Sequence, residues 1–202
     1  AGDAVVALVA GRDVAAQAQA SHALIDLTKR ASTLDFTGVK AQRVLSGDKV
    51  ASAIRDYLLI GALLTAAEAV GSTSACLAGI VDYLKTRKQF GKLIGSFQAL
   101  KHPTVDIYVG MEHSRSLVYH ASSEIDDGPI SAEAEVACRM AKAKASDTIQ
   151  YAGDRSVQFH GGFGFTWECD SSLFIRRAAW SQQQFGDAMH HRKRLAPLLL
   201  DA

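Results

Sequence analysis

Residues 51–87 read ASAIRDYLLIGALLTAAEAVGSTSACLAGIVDYLKTR, a stretch rich in Ala and Leu with Gly61 and Gly71 as interruptions. Ala and Leu lose little freedom on entering a helix, and the apolar positions recur with a period near 3.6. The stretch therefore predicts one long helix. Its small residues, Gly61, Ala62, Ala66, Ala67, Gly71, Ser72, Ser74 and Ala75, let other helices approach on more than one side. Core packing within the chain and a bundle that also forms an oligomer explain that composition equally well.

Outward from this helix the pattern stays helical on the C-terminal side. A second helix is expected from near Ser96, past Pro103 in its first turns, to about Ile125. Asp126-Asp127-Gly128-Pro129 reads as a turn, and Ser131 followed by Glu133 or Glu135 reads as an N-cap. An Ala-rich helix then runs to about Phe159, and after a glycine-rich break two shorter helices cover 171–180 and 187–200. On the N-terminal side, 4–10, 23–28 and 33–36 are short apolar or alternating stretches separated by polar turns, and Gly47-Asp48 closes the segment. The expected fold is mainly α, an antiparallel up-and-down four-helix-type bundle preceded by a few β-strands from a β-domain. The domains are 1–50, the closing strands of that β-domain, and 51–202, the bundle.

Composition narrows the function. Lys and Arg number 22 against 21 Asp and Glu, so no general basic surface exists to hold a nucleic acid. Cys76, Cys138 and Cys169 are odd in number and far apart, without a zinc-ligand pattern, which fits a reducing, cytoplasmic setting. Ala1 to Ala10 lack a basic start and read as a strand rather than a signal peptide. The apolar run from Leu58 is cut by Glu68 and small polar residues, so no membrane span is expected.

Three clusters stand out. Arg87-Lys88-Gln89-Phe90-Gly91-Lys92 ends the long helix, with Phe97-Gln98 at the start of the next. Arg87 suits either a helix C-cap or a bidentate phosphate contact, with Phe90 shaping the loop. Gln158-Phe159-His160-Gly161-Gly162-Phe163-Gly164-Phe165 places three glycines in four positions, which suits either a terminating turn or close approach of backbone to a ligand. No strand precedes it, so it is not a dinucleotide fingerprint. Gln158 and His160 have donors for the polar edge of a cofactor. The last cluster, Gln182 to Arg194, carries His190-His191, which point to different faces of a helix and do not suit one metal ion. His190, His191, Arg192, Lys193 and Arg194 read as a solvated polar face.

In this order and spacing, with Arg176-Arg177-Ala178 and Phe185-Gly186-Asp187 following, the clusters resemble the C-terminal domain of the acyl-CoA dehydrogenase family. Leu27-Thr28-Lys29-Arg30 and Leu34-Asp35-Phe36-Thr37-Gly38-Val39 resemble the last strands of its middle β-domain. The resemblance implies FAD as cofactor and desaturation of an acyl-CoA thioester. It implies cofactor contacts at Arg87, Gln89, Phe90, Phe97, Gln98, Gln158, Phe159, His160, Gly161 and Gly162, with Arg87 at the pyrophosphate. It also implies a tetramer, homo- or hetero-oligomeric, with an electron-transfer flavoprotein or similar acceptor. Family members carry an N-terminal helical domain and a β-domain ahead of this region, so a fragment or a split arrangement is expected here.

The departure concerns the base. In the family a Glu removes the proton α to the thioester, in one arrangement from the segment that Phe185-Gly186 matches. In the other it stands on the long helix, near Gly61 and Ala62. Neither position holds a carboxylate, which implies a subunit of an α2β2 acyl-CoA dehydrogenase whose partner carries the Glu, with steroid side-chain degradation as the setting. A homotetrameric enzyme using Glu168 or Asp187 and a helical assembly module without FAD are the alternatives.

Overall fold

The computed structural model describes residues 5–15 and 18–200, and the chain divides into two compact units, residues 1–58 and 59–202. The first unit contains β1 (Val5–Leu8), the five-residue α1 (Gly11–Ala15), β2 (Ala18–His22), β3 (Ala31–Leu34) and β4 (Arg43–Ser46). β1 pairs antiparallel with β4, Val5 opposite Ser46 and Leu8 opposite Arg43. β2 pairs antiparallel with β3, His22 opposite Ala31. The first strand was expected from Ala4, which lies outside the described residues.

Residues 23–28, expected as a strand, form the connection between β2 and β3. The buried Asp26 carboxylate accepts from the Thr28 amide at 3.0 Å and its hydroxyl at 2.8 Å. The Lys29 amide donates to the Asp26 carbonyl at 3.1 Å. An aspartate that ties down its own following backbone competes with strand pairing, and here the local turn wins over the apolar alternation. β4, by contrast, was not expected.

α2 (Asp48–Thr86) contains the boundary between the units and runs on into the second. There follow the two-residue strands β5 (Lys88–Gln89) and β6 (Lys92–Leu93), a 3-10 turn at Ile94–Ser96, α3 (Gln98–Ser123), α4 (Ala132–His160) and a second 3-10 turn at Gly161–Phe165. α5 (Ser171–Gln183) and α6 (Ala188–Leu200) complete it. The helices lie where the periodicity predicts them. Ser131 caps α4, its hydroxyl accepting from the Ala134 amide at 3.1 Å, and Glu133 and Glu135 put negative charge at the positive end of the helix.

α4 is the central element, packed on α3, α5 and α6. Ala134, Ala137, Ala141, Ala145 and Ile149 recur at helical spacing and are buried with Leu59, Leu63 and Ala66 of α2 and with Val118 and Ala121 of α3. A second core joins Cys76, Ile80 and Leu84 of α2 to Ile94, Ile107, Ala152 and Phe159. Small side chains make these contacts close. A Cβ on Gly153 would lie 2.9 Å from the Ile175 Cα, and one on Gly110 would lie 3.0 Å from a methyl of Thr148. Cys76, Cys138 and Cys169 are free and buried.

By length and composition Lys49–Thr86 is long and apolar enough to cross a membrane, which corrects the expectation that Glu68 and the small polar residues break the run. Thr65 and Thr73 return their hydroxyls to carbonyls of their own helix, at 2.8 Å each, so they interrupt apolarity little. Glu68 is the exception, bound at 2.5 Å by Arg177 of α5. Leu59, Leu63, Ala66, Cys76 and Ile80 bury the inner stripe of the helix in the two cores.

Candidate functional site

The end of α2 leads directly into the β5–β6 hairpin. The Arg87 amide still donates to the Tyr83 carbonyl, while the Arg87 carbonyl accepts from the Ile94 amide, both at 2.9 Å. Between the strands, Phe90 (φ 53°) and Gly91 (φ 73°) both adopt the left-handed conformation that a two-residue hairpin turn of the primed type requires. Gly91 is thus the second residue of a hairpin turn, not a helix cap. Phe90 is exposed and meets Phe97, at the start of α3, edge to face at 6.4 Å.

Facing the hairpin is the glycine-rich end of α4. Gly161 caps the helix with φ 61°, and a Cβ on Gly164 would collide with the Val157 carbonyl. Gly162 differs: its φ is ordinary for an L residue and a Cβ there would meet nothing within 4 Å. Nothing within the chain demands glycine at that position, which leaves approach by a ligand or another chain as its use.

Together these segments enclose a pocket of about 590 Å³ that brings Arg87, Gln89, Phe159, His160, Gly161 and Gly162 onto one lining, along with Tyr83 and Ile94. Phe90, Phe97, Gln98 and Gln158 stand outside it. Arg87 is exposed and has no ion-pair partner among the described residues. Its fork of donors is available to an anion, and the open backbone at Gly161–Gly162 lies across from it. These features fit a diphosphate-bearing cofactor such as FAD.

His160 is held from behind. Its Nδ1 lies 2.7 Å from the Ser156 carbonyl oxygen and 2.9 Å from Ser171 Oγ. A carbonyl only accepts, so Nδ1 carries a proton and is engaged within the chain, which leaves Nε2 as the ring atom for a cofactor's polar edge. Tyr83, one turn before Arg87 and not singled out by sequence, stacks on the ring at 4.1 Å. Behind His160, Ser156, Ser171 and Cys169 form a buried hydrogen-bonded chain beside a smaller cavity that Glu168 also lines.

The two positions that the resemblance sets against the family's base, Phe185-Gly186 and Gly61-Ala62, meet each other. Gly61 and Ala62 are buried in α2, and a Cβ on Gly61 would fall within the Phe185 ring. Phe185 stands at φ 56° and Gly186 at φ 96°. The turn that carries them is gripped by two buried side chains. Lys142 of α4, 1% exposed, donates from Nζ to Ser146 Oγ at 2.8 Å, to the Gly186 carbonyl at 2.9 Å and to the Ser181 carbonyl at 3.1 Å. His191 of α6, 2% exposed, donates from Nε2 to the Phe185 carbonyl at 3.0 Å. His191 was expected on the solvated face with His190, Arg192, Lys193 and Arg194; those four are exposed and His191 is buried. Asp187 caps α6, accepting from the His190 amide at 2.7 Å.

Burial pushes Lys142 down to about 8, opposed by Asp187, so it is mostly an ammonium at neutral pH. Burial, and then the charges of Lys142, Arg139 and His190, push His191 down to about 4, against a smaller upward pull from the Phe185 carbonyl. Its native pKa lies below the ordinary 6.5. The unfolded chain therefore binds a proton between these values that the folded chain refuses. This contribution to stability is complete above about pH 6.5 and is lost as pH falls through 4, about 3 kcal/mol in all. Urea unfolding midpoints are expected to drop between pH 7 and 4.5 in the native chain and to drop distinctly less in His191→Phe.

A protein-family model described as the acyl-CoA dehydrogenase C-terminal domain matches residues 51–197. Acyl-CoA dehydrogenase IpdE2 of Mycolicibacterium smegmatis is 39% identical over 134 residues, which is 66% of this chain and 40% of that protein. Among solved structures, a glutaryl-coenzyme A dehydrogenase in complex with glutaryl-CoA superposes with a TM-score of 0.81 at 25% identity, over 90% of this chain and 47% of that one. A steroid acyl-CoA dehydrogenase, the G363A variant of Tcur3481-Tcur3483, superposes with a TM-score of 0.78 at 25% identity, over 90% and 48%. The chain thus spans less than half the length of these relatives.

Proposed function

The chain belongs to the acyl-CoA dehydrogenase family through its C-terminal domain, and from that membership we propose that it is the base-lacking subunit of an FAD-dependent acyl-CoA dehydrogenase working as an α2β2 complex. The observation that carries this reading is the contact of Phe185 with Gly61. Both places where the family puts its carboxylate hold apolar groups, and the two groups fill each other's space. Of the other carboxylates weighed, Asp187 is engaged as a helix cap, and Glu168 lines the smaller cavity behind His160.

The features that hold cofactor are retained. Arg87 offers two parallel donors to a diphosphate, Gly161 and Gly162 let backbone close on it, and His160, held through its Nδ1–H, keeps Nε2 for a polar edge. FAD, when bound, supplies the acceptor for the hydride that leaves the β carbon. The proton on the α carbon goes to a carboxylate of the partner subunit, which we infer carries the Glu missing here. The substrate is an acyl-CoA thioester, with a steroid-derived acyl group favoured by the likeness to a steroid acyl-CoA dehydrogenase. An electron-transfer flavoprotein or similar protein reoxidises the cofactor, and the compartment is cytoplasmic.

Co-expression tests this reading. The full-length protein by itself is expected to oxidise no acyl-CoA, whereas co-purification with a Glu-bearing dehydrogenase chain gives a yellow complex of tetramer mass that does. Substantial turnover by the unpartnered protein would sink the proposal, and a colourless complex would favour an assembly module without FAD.

A further inference from the structure

Phe185 is one of two non-glycine residues with positive φ among the described residues, at 56°. The other, Phe90, sits in a hairpin turn whose geometry asks for that conformation. Phe185 is likewise followed by a positive-φ glycine, Gly186 at 96°, but its turn joins two helices, and no paired strands flank it to ask for that conformation. A bulky residue in the left-handed region is strained by about 1–3 kcal/mol and persists where its surroundings over-determine it. Three elements do so here. α4 holds the Gly186 and Ser181 carbonyls through Lys142, α6 holds the Phe185 carbonyl through His191, and α2 receives the ring at Gly61.

A lysine is an expensive way to fill a helix interface, because its charge must leave water. Lys142 nonetheless sits 1% exposed, with its ammonium on carbonyls at the end of α5, where the helix dipole is negative, and on the turn beyond it. Its hydrogen bonds to those carbonyls span 39 to 44 residues of sequence. An apolar residue would fill the space between α4 and the turn and fix nothing in it.

We propose that Lys142 and His191 are positioning residues that clamp the 184–187 turn by its carbonyls and so hold side chain 185 against Gly61. On the subunit reading above, that side chain stands where the family's proton-abstracting carboxylate stands. The clamp then sets the placement of whatever residue 185 is, independently of its chemistry.

Folding equilibria and amide exchange of the full chain test this without catalysis or flavin, so the outcome is separable from the fate of the subunit reading. Lys142→Met keeps the length of the side chain and removes its donors. It is expected to speed exchange of the amides at 184–187 by about ten-fold or more over any change in the core of α4. Gly61→Ala should weaken folding strongly in the native background. In Lys142→Met, where the ring is free to withdraw, its effect on the folding constant should be smaller by about ten-fold, a coupling expected only of groups that share a structural element. His191→Phe should show the same pair of effects and carries the test should Lys142→Met not fold. Uniform acceleration of exchange, or additive effects on folding, would overturn the proposal and reduce Lys142 to a general stabiliser.

Discussion

Arg87→Ala in the assembled complex is expected to raise the dissociation constant for FAD roughly 30- to 150-fold, the loss of about 2–3 kcal/mol that accompanies removal of a charge-assisted bidentate contact. Because Arg87 is exposed and without an ion pair among the described residues, the unfolding temperature of the flavin-free protein should stay unchanged, and only the stabilisation by added FAD should shrink. Arg87→Lys keeps the charge and loses the planar fork, so it should fall between the two. Flavin absorbance retained through gel filtration, followed by titration of the stripped complex with FAD, measures both variants. Full retention of flavin by Arg87→Ala would remove Arg87 from the diphosphate.

Gly153→Val is expected to cost about 3 kcal/mol or more through overpacking. For a chain of this size that is a fall in Tm of roughly 6–12 °C. The added Cβ would face the Ile175 Cα at 2.9 Å and its amide nitrogen at 3.2 Å, and backbone cannot swing aside as a side chain can. α4 and α5 must separate, which also draws Arg177 from Glu68 and Ser181 from Lys142. Gly162→Ala, at a position with open space, is the control and should leave Tm in place. Thermal unfolding of both variants decides the matter, and an equal Tm for Gly153→Val would contradict the close crossing.

Much of the bundle was legible because its determinants are local. The Ser131 cap, the Asp126 to Pro129 turn and the repeating alanines of α4 each act within a few residues of where they are written. The strands were harder. In 23–28 the alternation pointed to a strand, but the Asp26 side chain offered the backbone a nearer partner. The β5–β6 hairpin was concealed by a Phe at a turn position where Asn or Asp would have announced it. Of the candidate cofactor residues, Arg87, Gln89 and Phe159 to Gly162 come together in one pocket, while Phe90 on the hairpin turn, Phe97 at the start of α3, and Gln98 and Gln158 on the flanking helices stay outside.

The Phe185 turn was the least legible part. Lys142 lies in an Ala-rich run that resembles any helix surface, and its partners come from another helix end and the turn after it. His191 is surrounded in sequence by His190, Arg192, Lys193 and Arg194, so the local composition describes its neighbours and misdescribes it. A contact that spans 124 residues, from Gly61 to Phe185, has no signature in either segment alone.

The buried cysteines make the chain its own reporter of opening. Burial pushes the thiols of Cys76 and Cys138 up to about 11, so at pH 7 only about one in 10,000 is a thiolate even before access is considered. A thiol reagent therefore labels these positions at a rate governed by how often the surrounding helices part. Cys76 donates to the Ala152 carbonyl across the α2–α4 contact, Cys138 sits in the larger core and Cys169 precedes α5. Mass spectrometry of labelled peptides over time would thus rank local breathing at three interior points without introducing a probe.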